Sequence, residues 1–303
     1  MAAGTSAPSR LPAVLDFDKD ELPSGQETEN RPDDYKYETF PDSHCFRVFE
    51  LLPGVGTSKL CSQISIENFD EKEIPYYRAL SYTWMESKYD NLIIAGEKVI
   101  EFSGPREIYS IQHPIWISGC RLPISTNLRA ALRRFRDSDQ SVRLWIDAIG
   151  INQQDLDERA YQVLLMPRIY HSAMSVWFWL GEVDDASRIT LRWMTALHEA
   201  ISQSMSEAPQ SPPNVILEID PSEAKSLVSF LQRPVFRRIW IIQELATARE
   251  IIAYCGESSV PFRIIQIALD TFGQQSLDDI LSNQYSPGQN FLSLCQCHSP
   301  SPA

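Results

Sequence analysis

LWIDAIGINQQDLDERAYQ, Leu144 to Gln162, is the stretch from which the fold is read. Apolar residues surround one aspartate, Asp147, as in a strand buried on both faces. Asn152, Gln153 and Gln154 suit a turn, since short amide side chains bond nearby backbone. Asp155, with Glu158 three residues on, opens a helix with the aspartate form of a capping box. A buried strand that ends in polar groups and feeds a helix is where α/β proteins place ligands.

Outward from this stretch, strand and helix patterns alternate. Downstream, the helix continues through Tyr161, Val163, Leu164 and Ile169, with Pro167 expected to kink it. Ser175–Leu180 reads as a strand, Ser187–Met205 as an amphipathic helix, and Asp220-Pro221-Ser222-Glu223 as a helix start. Val235–Ala246 reads as a further helix, Ile251–Cys255 as a strand and Val260–Phe272 as a helix. Upstream, Leu122–Phe135 has helix signals. Ser125 or Thr126 can cap it, and Leu128, Ala131, Leu132 and Phe135 share one face. Cys45–Leu51, Leu60–Ile66 and Tyr77–Trp84 read as strands, and Leu92–Ile94 with Lys98–Ile100 as a hairpin. Glu101–Arg121 has no clean period and reads as an insertion or a loop. The order predicts an α/β fold: a mostly parallel sheet flanked by helices in three layers, with extra N-terminal strands. Residues 1–41, rich in Pro, Ser, Asp and Glu, are predicted to be disordered. Residues 42–273 are read as the domain, and 274–303 as a disordered tail.

Forty acidic against 27 basic residues give a net charge of −13. That composition disfavours a nucleic-acid partner, because phosphate-backbone binding rests on Lys and Arg. No secretory signal and no apolar run of membrane-spanning length is visible, so a cytoplasmic chain without a membrane partner is expected. The six cysteines include no CxxC pair and no Cys/His set with zinc spacing. They read as reduced thiols, not as a disulfide framework or a metal site. GxSxG, HExxH and P-loop motifs are absent, and Gly54-Val55-Gly56 lacks the third glycine of a dinucleotide fingerprint. No resident cofactor is expected.

Five blocks, in order, resemble the fungal heterokaryon-incompatibility (HET) domain. Tyr77–Trp84 (YRALSYTW) resembles its opening YxALSYxWG, and Leu122–Leu132 its xxNLxxAL helix. Leu144–Gln162 resembles LWIDAICINQxDxxERxxQ, and Met166–Gly181 (MPRIYHSAMSVWFWLG) resembles MxxIYxxAxxVxVWLG. Arg233–Leu245 (RPVFRRIWIIQEL) resembles RPWFxRxWxxQE. The likeness covers residues 77–256. Met85 stands where the family has Gly, Gly150 where it has Cys, and Val235 where it has Trp. Residues 101–121 form an atypical insertion within this core, and the chain stops where relatives often carry long C-terminal regions.

The resemblance implies fungal nonself recognition and regulated cell death, and a core similar to the Toll/interleukin-1 receptor (TIR) domain. Some TIR domains cleave NAD with a glutamate on a helix after a Trp, in a W-C-x-x-E-L motif. Trp240 to Leu245 has the same Trp-to-Glu spacing, which makes Glu244 the candidate catalytic residue. Breaking the nicotinamide–ribose bond passes through an oxocarbenium-like state that a carboxylate can stabilise. The alternative is that Glu244 only forms helix-surface ion pairs with Arg237 or Arg238. Asp147 requires a partner such as Arg143, Arg159 or a backbone amide, or a place at the strand's carboxyl end. It serves either pairing or catalysis. Ser81, Tyr82, Trp84, Asn152, Arg159 and Trp240 complete the candidate substrate-binding set. Trp84 either stacks on a base or packs in the core. Asn152 serves either the turn or a ribose, and Arg159 either a phosphate or an ion pair. NAD thus enters as a substrate, and the expected partner is a second copy or another incompatibility protein. A non-enzymatic self-associating module and an inactive truncated relative are the competing readings.

Overall fold

The computed structural model describes residues 33–71, 76–84, 112–207, 221–238 and 241–269. By its internal contacts the chain divides into residues 1–33 and 34–303, and the elements below belong to the second unit. Among the described residues nine strands make one sheet. They are β1 (Cys45–Leu51), β2 (Cys61–Asn68), β3 (Arg78–Ser81), β4 (Gln112–Ile117), β5 (Cys120–Ser125), β6 (Val142–Trp145), β7 (Val176–Trp179), β8 (Ile251–Cys255) and β9 (Ser258–Pro261). The helices are α1 (Thr126–Phe135), α2 (Asp147–Gly150), α3 (Leu156–Ser172), α4 (Asp185–Glu207), α5 (Pro221–Leu231), α6 (Ile241–Thr247) and α7 (residues 262–269).

The spatial order is β5-β4-β2-β1-β6-β3-β7-β8-β9. β6, β3, β7 and β8 run parallel to one another and β4 runs parallel to β2, whereas β1 joins β6, β2 joins β1, β5 joins β4 and β9 joins β8 antiparallel. The sheet is therefore α/β but mixed, not mostly parallel. The helical connections α1, α3 and α4 to α6 accompany the parallel β6-β3-β7-β8 run, whereas the tight β4–β5 and β8–β9 connections reverse the chain.

Side chains alternate across this sheet and build two cores. Val176 and Phe178 of β7 face α3 to α6, with Phe46, Ala79, Trp145, Ile169, Met194, Phe230 and Leu245. Trp179 faces the other way, with Leu80, Leu144, Leu128, Leu132 and Phe135, under α1. The helix, sheet and helix layers follow from that alternation. Ser125 caps α1 by accepting from the Leu128 amide, so the first four residues of the expected Leu122–Phe135 helix belong to β5 instead. α3 runs on past Pro167 as one element.

The Gln112–Ile117 and Cys120–Ser125 hairpin starts within the Glu101–Arg121 segment expected to be an insertion or loop and runs past it. Ile115 and Ile117 are buried there. Pro114 sits opposite Pro123 in the pairing, which masked the alternation in sequence. The edge position of β5 tolerates a residue that cannot donate. The hairpin expected over 92–100 lies outside the described residues. The helix expected over Val235–Ala246 is broken: a 3-10 turn covers Pro234–Arg237, Arg238 is extended, and α6 starts at Ile241.

Candidate functional site

Four segments meet at the carboxyl ends of the parallel strands. β3 ends in Ser81, and the chain continues through Tyr82 and Thr83 to Trp84. β6 is followed by Ile146 and then Asp147, the first residue of α2, so the aspartate lies past the strand's carboxyl end. Arg238 occupies the extended break after the 3-10 turn, and Glu244 lies on α6.

Glu244 is fully buried. Arg238 grips it with both terminal nitrogens, at 3.0 and 3.3 Å, and the Ser81 hydroxyl donates to its Oε2. Asp147, 6% exposed, accepts from Trp84 Nε1 at 2.8 Å and from its neighbour's amide, Ala148 N, at 2.8 Å. Arg238 lies 3.7 Å from Asp147 as well. One guanidinium thus faces two buried carboxylates. Burial raises the Glu244 carboxyl above its ordinary value, opposed by Arg238 and Ser81. Burial likewise lifts Asp147 to about 6, with Arg238 opposing and Glu244 adding to the rise. Removing an anion from water costs more than one cation at these distances returns to both. Burial, Asp147 and Glu244 also drive the Tyr82 phenol well above its ordinary value.

Of the residues picked from sequence, Ser81, Trp84, Asp147 and Glu244 converge here. Tyr82 is adjacent, but its ring is buried in the core under α1. Trp84 keeps about a third of its surface exposed, at 38%, so it is a cover over Asp147 and not a core aromatic. Asn152 and Arg159 are not part of the cluster. The Asn152 side chain accepts from Gln154 N, as a turn residue does, and Arg159 is exposed on the first turn of α3. Trp240 lies outside the described residues. The cation that sequence reading assigned to the surface, Arg238, is the half-buried centre of the site. Arg143, an expected partner of Asp147, bonds Glu67 instead.

Two features of the surroundings were missed. Asn127, second residue of α1, donates to Thr83 O at 2.7 Å and accepts from Trp179 Nε1 at 2.8 Å. It ties the loop that carries Trp84 to the end of β7. Glu158 does not close a capping box; Asp155 alone caps α3, accepting from the Asp157 and Glu158 amides. Glu158 is buried and bonds Arg47 at 2.6 and 3.0 Å and the Asn152 amide at 2.6 Å. Arg47 also donates to Gly150 O at 3.0 Å and to Glu38 O, beneath the ring of Phe40. The one signal for this pair was a cation inside the apolar strand CFRVFEL. Gly150 is confined by the same contacts: a Cβ there would sit 3.3 Å from Trp145 Nε1 and 3.4 Å from Arg47 O.

Comparison with known proteins places this geometry. The family model described as "Heterokaryon incompatibility protein (HET)" matches residues 77–244, more than half of the chain. The chain belongs to the HET family. Ser81, Trp84, Asp147, Arg238 and Glu244 all fall within the matched span, which ends on Glu244 itself. A relative from Neurospora crassa, "Heterokaryon incompatibility protein 6, OR allele", is 28% identical over 228 residues. That match covers 65% of this HET protein but 31% of the relative. No solved structure matches. Among the described residues no helix is long and apolar enough to cross a membrane.

Proposed function

We propose that this HET protein acts in fungal heterokaryon incompatibility, as a cytoplasmic nonself-recognition module that signals regulated cell death by cleaving NAD in a TIR-like manner. The observation that supports the activity is the convergence of Glu244, Asp147, Ser81 and Trp84 from three separate segments at the carboxyl ends of parallel strands. Open α/β sheets bind ligands outside those ends. In this reading Glu244 lies against the ribose and stabilises the oxocarbenium-like state as the nicotinamide–ribose bond breaks. Water adds at the ribose carbon, giving ADP-ribose, nicotinamide and a proton that Asp147 accepts. Trp84 supplies a ring face for stacking.

A second reading, a non-enzymatic module that works by self-association or by binding another incompatibility protein, is favoured by one observation. Both Glu244 oxygens are already engaged and none of its surface is exposed. Substrate reaches Glu244 only if Arg238 moves.

The test is nicotinamide release from NAD by purified protein over a range of high concentrations, repeated with Glu244→Ala and Glu244→Gln. Turnover abolished by both substitutions supports the enzyme reading. No nicotinamide at any concentration leaves the association module, and turnover surviving both substitutions overturns the role of Glu244.

A further inference from the structure

Apart from the Glu244 cluster, the carboxyl edge of the sheet carries a concavity of about 210 Å³ between α1 and the ends of β7 and β8. Three arginines line it, Arg129, Arg133 and Arg134, together with Trp179, Glu182 and Glu257. This is an unusual concentration of charge for a chain with a net −13. Four of its 27 basic residues, Arg129, Arg133, Arg134 and Arg136, fall within eight positions.

We propose that this pocket binds a phosphate group of a small molecule. Arg129 and Arg133 are four apart on α1, so both side chains stand on one side of the helix. Arg134 is fixed in place, its Nε donating to Gly256 O and its Nη2 to Glu257 O, both at 3.1 Å. Those bonds orient the guanidinium without neutralising it. A guanidinium carries five donors, so bonds made elsewhere leave others for an oxyanion, and its planar fork suits phosphate geometry. The Glu257 carboxylate, 3.3 Å from Arg134, is almost entirely solvent-exposed, so water screens its competition. The pocket sits outside the carboxyl ends of two parallel strands, where open α/β sheets take ligands. Its volume is below the roughly 300–1,000 Å³ of sites that enclose drug-sized molecules. It therefore seats the phosphate end of a ligand and leaves the remainder outside.

The experiment is calorimetric titration of the full chain at low salt with inorganic pyrophosphate and, separately, with ADP. The expected result is saturable binding of pyrophosphate, weakened at least tenfold in Arg129→Gln/Arg133→Gln. Glu182→Gln, which removes a lining anion, is expected to tighten binding severalfold. ADP binding tighter than pyrophosphate assigns the phosphate to a nucleotide; equal binding assigns it to the free anion. Absence of saturable binding of either probe overturns the proposal, as does unchanged affinity in the double variant. Should the double variant fail to fold, Glu182→Gln decides alone, and no gain in affinity overturns the site. Binding is read without turnover, so this result is independent of nicotinamide release.

Discussion

Trp84 and Asp147, 63 positions apart in the chain, are joined by a 2.8 Å hydrogen bond in which the indole donates to the carboxylate. A bond to a charged acceptor contributes about 1.5–3 kcal/mol. Trp84→Phe keeps an aromatic ring and deletes the donor. It is expected to lower stability by about that amount in urea unfolding at pH 7, and by less at pH 4, where Asp147 is protonated. An equal loss at both pH values would show that packing, and not the bond, holds the ring.

Asp147 sets a pH dependence of unusual sign for an aspartate. Burial lifts it to about 6 from an ordinary 3.8, so between these values the folded chain binds more protons than the unfolded one. Stability therefore falls as pH rises from about 4 to 6, by on the order of 3 kcal/mol. Below about 4 both states are protonated and nothing further is gained. Asp147→Asn is expected to flatten the denaturation midpoint across that window, and an unchanged slope would place the titration elsewhere.

Arg238 balances two buried carboxylates, so its removal strands both. Arg238→Met is expected to cost about 3–5 kcal/mol, the range for breaking a buried pair. Arg238→Met with Glu244→Gln removes the stranded charge together with its partner and is expected to recover part of that loss. A cost below about 1 kcal/mol for the single change would mark a solvated pair. Guanidinium unfolding of the two variants beside the parent separates these outcomes.

Asp155 and Glu158 look alike in sequence, as two acids opening one helix, yet their surroundings differ. Asp155→Ala loses an N-cap and is expected to cost about 1 kcal/mol. Glu158→Ala leaves Arg47 buried without its counter-ion and is expected to cost about 3–5 kcal/mol. Thermal unfolding of the two single variants ranks them directly.

These contrasts show what the sequence could carry. The helix start at Asp155, the Ser125 cap and the two-faced strand at Val176–Trp179 were legible because they depend on residues near one another in sequence, whereas the strand read through Asp147 ends at Trp145 and gives way to the short helix α2. The β4–β5 hairpin was not, because paired prolines hid its alternation. Ser81, Asp147 and Glu244 were each candidates, but their meeting was not legible, because it joins segments far apart in the chain. The break that delivers Arg238 was invisible, since RPVFRRIWIIQEL reads as continuous helix. Arg47 and Glu158 lie 111 positions apart, and no local pattern links them.

Gly150 has a consequence for the side chain that its position can hold. The indole N–H of Trp145 is buried and has no hydrogen-bond partner among the described residues, and it points at the space where a Cβ at position 150 would stand. A cysteine there would offer that N–H a sulfur acceptor. It would also press on the indole and on the β1 backbone, at separations tighter than ordinary contact. Gly150→Cys therefore pulls in two directions, and the identity of position 150 is tied to the placement of Trp145. A side chain at one position is accommodated only if the other gives way.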